Sequence, residues 1–167
     1  MNMVIKNRPV ADLIPYARNA RQHSDAQVAQ IAASIREFGF LNPVIVDGDN
    51  GIIAGHGRVM AARKLGLESV PTVEASHLTE PQKRAYILAD NKLALNAEWD
   101  TELLRIELGE LGNVSFDLEL TGFELSEVEN LTVGDIPESS SQEIDPDDYE
   151  MNTRCPRCGF EFDDPKA

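Results

Sequence analysis

The sequence predicts an α/β (α+β) domain that carries a helical extension and an acidic, cysteine-bearing tail. Two short β-branched runs, Val44-Ile45-Val46 and Ile52-Ile53, flank the turn-forming stretch from Asp47 to Gly51, as in a hairpin. Around them lie segments whose apolar residues recur every three or four positions between capping signals, as in amphipathic helices. Past about Thr132, large apolar residues thin out and Ser, Pro and acids take over. Such a segment buries too little surface to offset its ordering entropy.

The elements follow in chain order. A short strand is predicted around Met3–Ile5, and Pro15 supplies turn chemistry. Ser24 is an N-cap with Gln27 as its capping-box partner. Val28, Ile31, Ile35 and Phe38 then keep helical spacing until Gly39 stops the helix. After the hairpin, Gly55-His56-Gly57-Arg58 forms a turn that opens a helix from about Val59 to Leu65, ended by Gly66. "SVPTVEA" reads as a strand. Thr79 caps the next helix, with Gln82 completing a capping box and Pro81 tolerated in the first turn. A further helix begins near Asp100, "SFDLELTGF" is extended or turn-like, and "LSEVENL" is a short helix capped by Ser126. The domain bounds are then 3–95 for the folded domain and 96–131 for the extension. The acidic flexible linker runs over 132–152 and the cysteine tail over 153–167.

With 167 residues and 42% hydrophobic content, the chain supports one core of ordinary size. No run approaches the ~20 apolar residues of a membrane span and no signal-peptide pattern opens it, so a cytoplasmic protein without a membrane partner is expected. The net charge of −14 is uneven. Residues 1–64 hold eight Lys/Arg against five Asp/Glu, a net of +3, whereas residues 65–167 hold seven against 24, a net of −17. The first third can still receive an anion, and the rest argues against broad duplex DNA binding. Both cysteines lie in Cys155-Pro156-Arg157-Cys158-Gly159, the spacing of one zinc-ribbon knuckle. Two thiolates supply half of a tetrahedral Zn²⁺ site, so the other half must come from a second copy or a partner; otherwise the knuckle is a relic. His23 and His77 show no metal spacing and read as surface residues.

The turn at 55–58 is the chemically suggestive feature. Backbone N–H groups at a helix N-terminus are unpaired and partly positive, and glycines let an anion come close. Arg58 adds a cation whose planar fork matches phosphate. The glycine spacing fits neither a Walker loop nor a dinucleotide fingerprint. Taken alone, the same residues also describe a strain-relieving turn with His56 and Arg58 at the surface.

The surroundings carry more. "ARNAR" (17–21), "IAASIREFGFLNPVIV" (31–46), "IIAGHGRVMAARKLGLESVPTV" (52–73) and "ILADNK" (87–92) occur in that order. Together they resemble the N-terminal domain of the ParB/sulfiredoxin superfamily over about residues 5–95, and most of all the ParB-like domains of phages and prophages. Some of those stand alone, and others are fused to or encoded beside DNA methyltransferases. "LADNKLALNAEWDTELL", with "FDLELTGFE" after it, is similar to the region such proteins carry beyond the ParB box. The resemblance implies a small mixed sheet with helices. It also implies a nucleoside triphosphate, typically CTP, bound with Mg²⁺. It places the Gly-x-x-Arg box on Gly55 and Arg58, so that His56 and Gly57 also belong to the nucleotide site. A second box falls on Gly39, Phe40, Leu41, Asn42 and Pro43, with Asn for the usual Gln. The Asn-Pro-Arg box falls on Asn19, Ala20 and Arg21. The metal-holding pair falls on Asp90 and Asn91, and the Arg of that box is Ala94 here. His56 stands where ParB proteins carry an acid tied to hydrolysis, which puts turnover in doubt more than binding. Sulfiredoxin chemistry needs a cysteine in this turn, and the first cysteine is Cys155.

The function implied is a nucleotide-binding (CTP/ATP-type) accessory protein of phage or prophage DNA transactions such as methylation, genome processing or transcription control. Its partners would be DNA or a DNA-acting protein such as a methyltransferase, with a homodimer as a further form. Two rivals remain. One is an NTP-hydrolysing or nuclease enzyme using the same cleft, and the other is an interaction module docking a basic partner through the acidic half. Residues 96–131 are short and acidic for the helix-turn-helix that comes after this domain in full ParB proteins.

Overall fold

The computed structural model describes residues 4–132, together with 153, 154, 156, 157, 161 and 162. The chain divides into two compact units, Met1–Thr132 and Val133–Ala167. In the second unit, β5 (Thr153–Arg154) pairs antiparallel with β6 (Glu161–Phe162). Most of the stretch expected as a linker over 132–152, and the candidate zinc ligands Cys155 and Cys158, lie outside the described residues.

The first unit is a four-stranded mixed sheet with helices. β1 (Ile5–Pro9), β2 (Val44–Val46), β3 (Ile52–Ala54) and β4 (Ser69–Glu74) stand in the order β1-β4-β2-β3. β1 runs antiparallel to β4, β4 parallel to β2, and β2 antiparallel to β3. The helices are α1 (Asp25–Phe38), α2 (His56–Lys64), α3 (Glu80–Ala94), α4 (Thr101–Asn113) and α5 (Leu125–Thr132).

Both faces of the sheet are covered, and β3 shows why its residues are uniformly apolar. Successive side chains of a strand point to opposite faces. Ile52 joins Val44, Val46, Val59, Ala62 and Val70 on one side, beneath α2. Ile53 packs with Ala75 and Ile87 on the other, beneath α3. Ala61 of α2 meets Val28 and Ala32 of α1, and these small side chains let the two helices approach closely. Thr72, buried in β4, donates its hydroxyl to the Lys6 carbonyl at 2.7 Å. Ile14 bridges to Gly51 beside β3, and Tyr16 packs against the Ile53 cluster.

Several local expectations need revision. The first strand starts at Ile5 rather than Met3. Ser24 Oγ accepts from the Gln27 N–H at 3.1 Å, but the Gln27 side chain turns to His23 Nδ1 (2.9 Å), so the reciprocal half of that capping box is replaced. At Thr79 the box forms, with the Thr79 N–H donating to Gln82 Oε1 at 2.9 Å. α2 begins at His56, three residues earlier than Val59, because Gly55 is already its cap. Ser126 lies inside α5 rather than before it. The Glu124 carbonyl accepts from the Val128 N–H (3.0 Å), and Glu127 Oε2 accepts from the Glu124 N–H (2.8 Å), so Glu124 caps the start of the helix. Within "SFDLELTGF", residues Leu118–Thr121 form a 3₁₀ turn.

Candidate functional site

β3 runs into α2 through Gly55, whose φ of 96° and ψ of 26° lie in the left-handed region that favours glycine. That single residue reverses the chain quickly enough for α2 to start at His56. A Cβ on Gly55 would stand 2.8 Å from an Nη of Arg58 and 3.0 Å from its Nε, so the guanidinium lies folded against the bare backbone. Gly57 is buried, and a Cβ there would come within 3.0 Å of both the His23 ring and Ile31. The two glycines therefore serve different ends: one shapes the turn, and the other lets α1 close on α2.

Arg58 is held partly buried. It donates to the Pro43 carbonyl at 3.3 Å. Its Nε is buried and has no hydrogen-bond partner among the described residues. Burial draws the guanidinium pKa below its ordinary value, and the negative charge of Asp90 on α3 acts against that shift. The group stays protonated regardless. An uncompensated N–H on a buried cation costs about 1–3 kcal/mol or more, which an anion would relieve.

His56 behaves differently. Its Nε2 accepts the Tyr16 backbone N–H at 3.2 Å, so that nitrogen is unprotonated and the ring is neutral. Burial, and then the nearby His23, push its pKa below 6.5. The unfolded chain therefore takes up this proton first as the pH falls. Stability contributed by neutral His56 is present above about pH 6.5 and is lost on acidification through that value towards the folded pKa. We expect urea midpoints at about pH 7.5 and 5.5 to differ less for His56→Gln than for the parent, since Gln can accept the same N–H without titrating. An identical acid-induced loss in both proteins would assign the effect elsewhere.

The expected site residues fall into three neighbouring groups. Gly39, Phe40, Asn42 and Arg58 line one cavity of about 400 Å³. Gly55, His56 and Gly57 form the turn beside Arg58 but are not among that cavity's walls. Arg21 and Asn91 line a separate hollow of about 160 Å³ together with Asn19, whose Oδ1 accepts from the Arg21 N–H at 3.2 Å. Asp90 is exposed. Asn91 Nδ2 donates to the Ile87 carbonyl at 2.8 Å, which leaves its amide oxygen as the atom an ion could take. Among the described residues, no three His, Cys, Asp or Glu side chains gather into a metal cluster, and no helix is long and apolar enough to cross a membrane.

Other walls of the Arg58 cavity were not anticipated. Gln27, Gln30 and Ser34 face it from α1, and Leu120, Thr121 and Gly122 close it from the 3₁₀ turn of the extension. The spacing of the three α1 residues, 27-30-34, was visible as one helical stripe. Nothing local announced the return of residues 120–122 onto α1.

Comparison with known proteins bears on both halves. A family model described as the ParB N-terminal domain matches residues 2–92. A second, described as the ParB-methyltransferase HTH domain, matches residues 102–154. The latter overlaps the extension, which the sequence suggested was too short and acidic to stand in for a helix-turn-helix. The ParB-like nuclease domain-containing protein YnaK of Escherichia coli K12 is 56% identical over 77 residues, covering 46% of this chain and 88% of that one. The nucleoid occlusion protein of Geobacillus thermodenitrificans is 34% identical over 92 residues, 52% of this chain but only 32% of its own length. The C-terminally truncated chromosome-partitioning protein ParB from Caulobacter crescentus, solved with CTP-gamma-S, has a similar fold, with a TM-score of 0.63 and 22% identity over 77% of each chain. The mixed sheet, the Gly55–Arg58 turn and the match over residues 2–92 lead to one conclusion: this chain belongs to the ParB N-terminal domain family.

Proposed function

We propose that this chain binds a nucleoside triphosphate of the CTP or ATP type, with Mg²⁺, and acts as an accessory protein in phage- or prophage-type DNA transactions. The observation that carries the reading is the buried, unpartnered Nε of Arg58 at the glycine-bearing N-terminus of α2. Fixed N–H donors and a half-buried cation there ask for a multiply charged, phosphate-like anion. The Caulobacter protein of similar fold was solved with CTP-gamma-S, which makes CTP the first ligand to test. The HTH match over residues 102–154 and its methyltransferase-linked description support the DNA-related setting.

The chain's own residues divide the work. Arg58 and the first free N–H groups of α2 would hold phosphate oxygens, while Gly39, Phe40 and Asn42 shape the cavity beside them. Asp90 and the amide oxygen of Asn91 would hold Mg²⁺, which needs only one or two protein oxygens when phosphates and water complete its shell. The influence of Asp90 on Arg58 is in keeping with a metal at the phosphate edge. Mg²⁺ there would supply charge neutralisation along the triphosphate.

Turnover is expected to be slow. A base for water attack needs a free lone pair, and that of His56 Nε2 is taken by the Tyr16 N–H. Calorimetric titration with each of the four triphosphates and Mg²⁺ tests binding: saturable heat for one or more supports the reading, and silence for all four removes it. Phosphate release tests turnover. His56→Glu should raise a low parental rate, and rapid release by the parent would place the chemistry on another residue.

A further inference from the structure

We infer that an acidic groove between α1 and the end of the extension docks a basic, amphipathic segment of a partner protein. The groove encloses about 590 Å³. Its floor is Ala29 and Ala33 of α1 with Leu120 and Phe123 of the extension, and Glu119 and Glu124 stand along it. Ala29 and Ala33 lie one helical turn apart, so their small side chains leave room for another backbone. The inference does not rest on nucleotide binding, and the groove adjoins the Arg58 cavity, with Gln30 and Leu120 bordering both.

The charge selects the occupant. Residues 102–132 fall within the stretch matched to the HTH model, yet they hold eight acids against one base, Arg105. That base already pairs with Glu102 at 2.9 Å. A duplex DNA reader needs several Lys or Arg free for phosphates, and this surface offers the opposite sign. The twenty residues after Thr132 hold seven acids and no base, so charge also rejects them as occupant. A second copy brings a net charge of −14. The occupant that fits is a cationic segment whose apolar residues recur at helical spacing, seated on the apolar floor with its Lys or Arg towards Glu119 and Glu124.

Trp99, the chain's single tryptophan, provides the readout, because its ring centroid lies 5.6 Å from that of Phe123, which lines the groove. The full chain is titrated with a tryptophan-free helical Leu/Lys peptide, with its Leu/Glu counterpart, and with duplex DNA. A saturable Trp99 emission change is expected for the Leu/Lys peptide only. Glu119→Lys with Glu124→Lys should weaken that binding about tenfold, whereas Glu107→Lys with Glu110→Lys, an equal charge change outside the groove, should cost less than about threefold. The milder pair Glu119→Gln and Glu124→Gln should shift affinity the same way by less, and it stands in if the reversed pair fails to fold by circular dichroism. Three results would overturn the inference: equal losses from both reversed pairs, tight binding of duplex DNA in place of peptide, or self-association of the parent that the groove pair abolishes.

Discussion

Arg58→Ala is expected to weaken nucleoside triphosphate binding by about 1.5–3 kcal/mol, the range for hydrogen bonds to charged groups. That is roughly tenfold to 150-fold in Kd. Folding should be little affected. The side chain makes one long hydrogen bond to the Pro43 carbonyl and leaves Nε buried without a partner, so truncation also removes an uncompensated donor. Arg58→Lys should fall between the two, keeping the charge but losing the planar fork that spans two phosphate oxygens. Titration calorimetry on the three proteins decides the matter. Equal affinities for Arg58→Ala and the parent would take Arg58 out of the site, whatever else binds the nucleotide.

Ile52→Ala should destabilise the first unit by about 2–5 kcal/mol, the cost of truncating a buried aliphatic side chain. Ile52 is only 2% exposed and sits among Val44, Val46, Val59 and Val70. It also lies three residues before Gly55, so the cavity it leaves loosens the strand that aims the turn. Leu41→Ala is the control. Leu41 is 80% exposed, and its loss should stay within about 0.5 kcal/mol. Urea unfolding followed by far-ultraviolet circular dichroism measures both, and a loss below about 1 kcal/mol for Ile52→Ala would show that the core repacks around the gap.

Much of this protein was legible locally. Ser24 and Gly39 bound α1, Thr79 and Gln82 cap α3, and Asp47 to Gly51 turn β2 into β3, because each signal acts within a few residues of the backbone it satisfies. The order and spacing of the motifs around Gly55 and Arg58 were likewise enough to suggest the family, since the positive φ at Gly55 is a local demand that glycine meets. The start of α2 at His56 was missed because residues 56–58 were read as turn, although a glycine cap lets them be helical. Other features depended on groups far apart in the chain. Arg58 is half buried and reaches the Pro43 carbonyl, α1 lines the same cavity, and its field includes Asp90 from α3. His56 is held neutral by a backbone N–H forty residues away. The separation of Arg21 and Asn91 from the Arg58 cavity, and the arrival of Leu120, Thr121 and Gly122 at its wall, likewise depend on how helices pack after they form. Periodicity and caps report what a segment does to itself. Which side chains meet across 40 or 60 residues is settled by burial of shared apolar faces, and that required the folded chain.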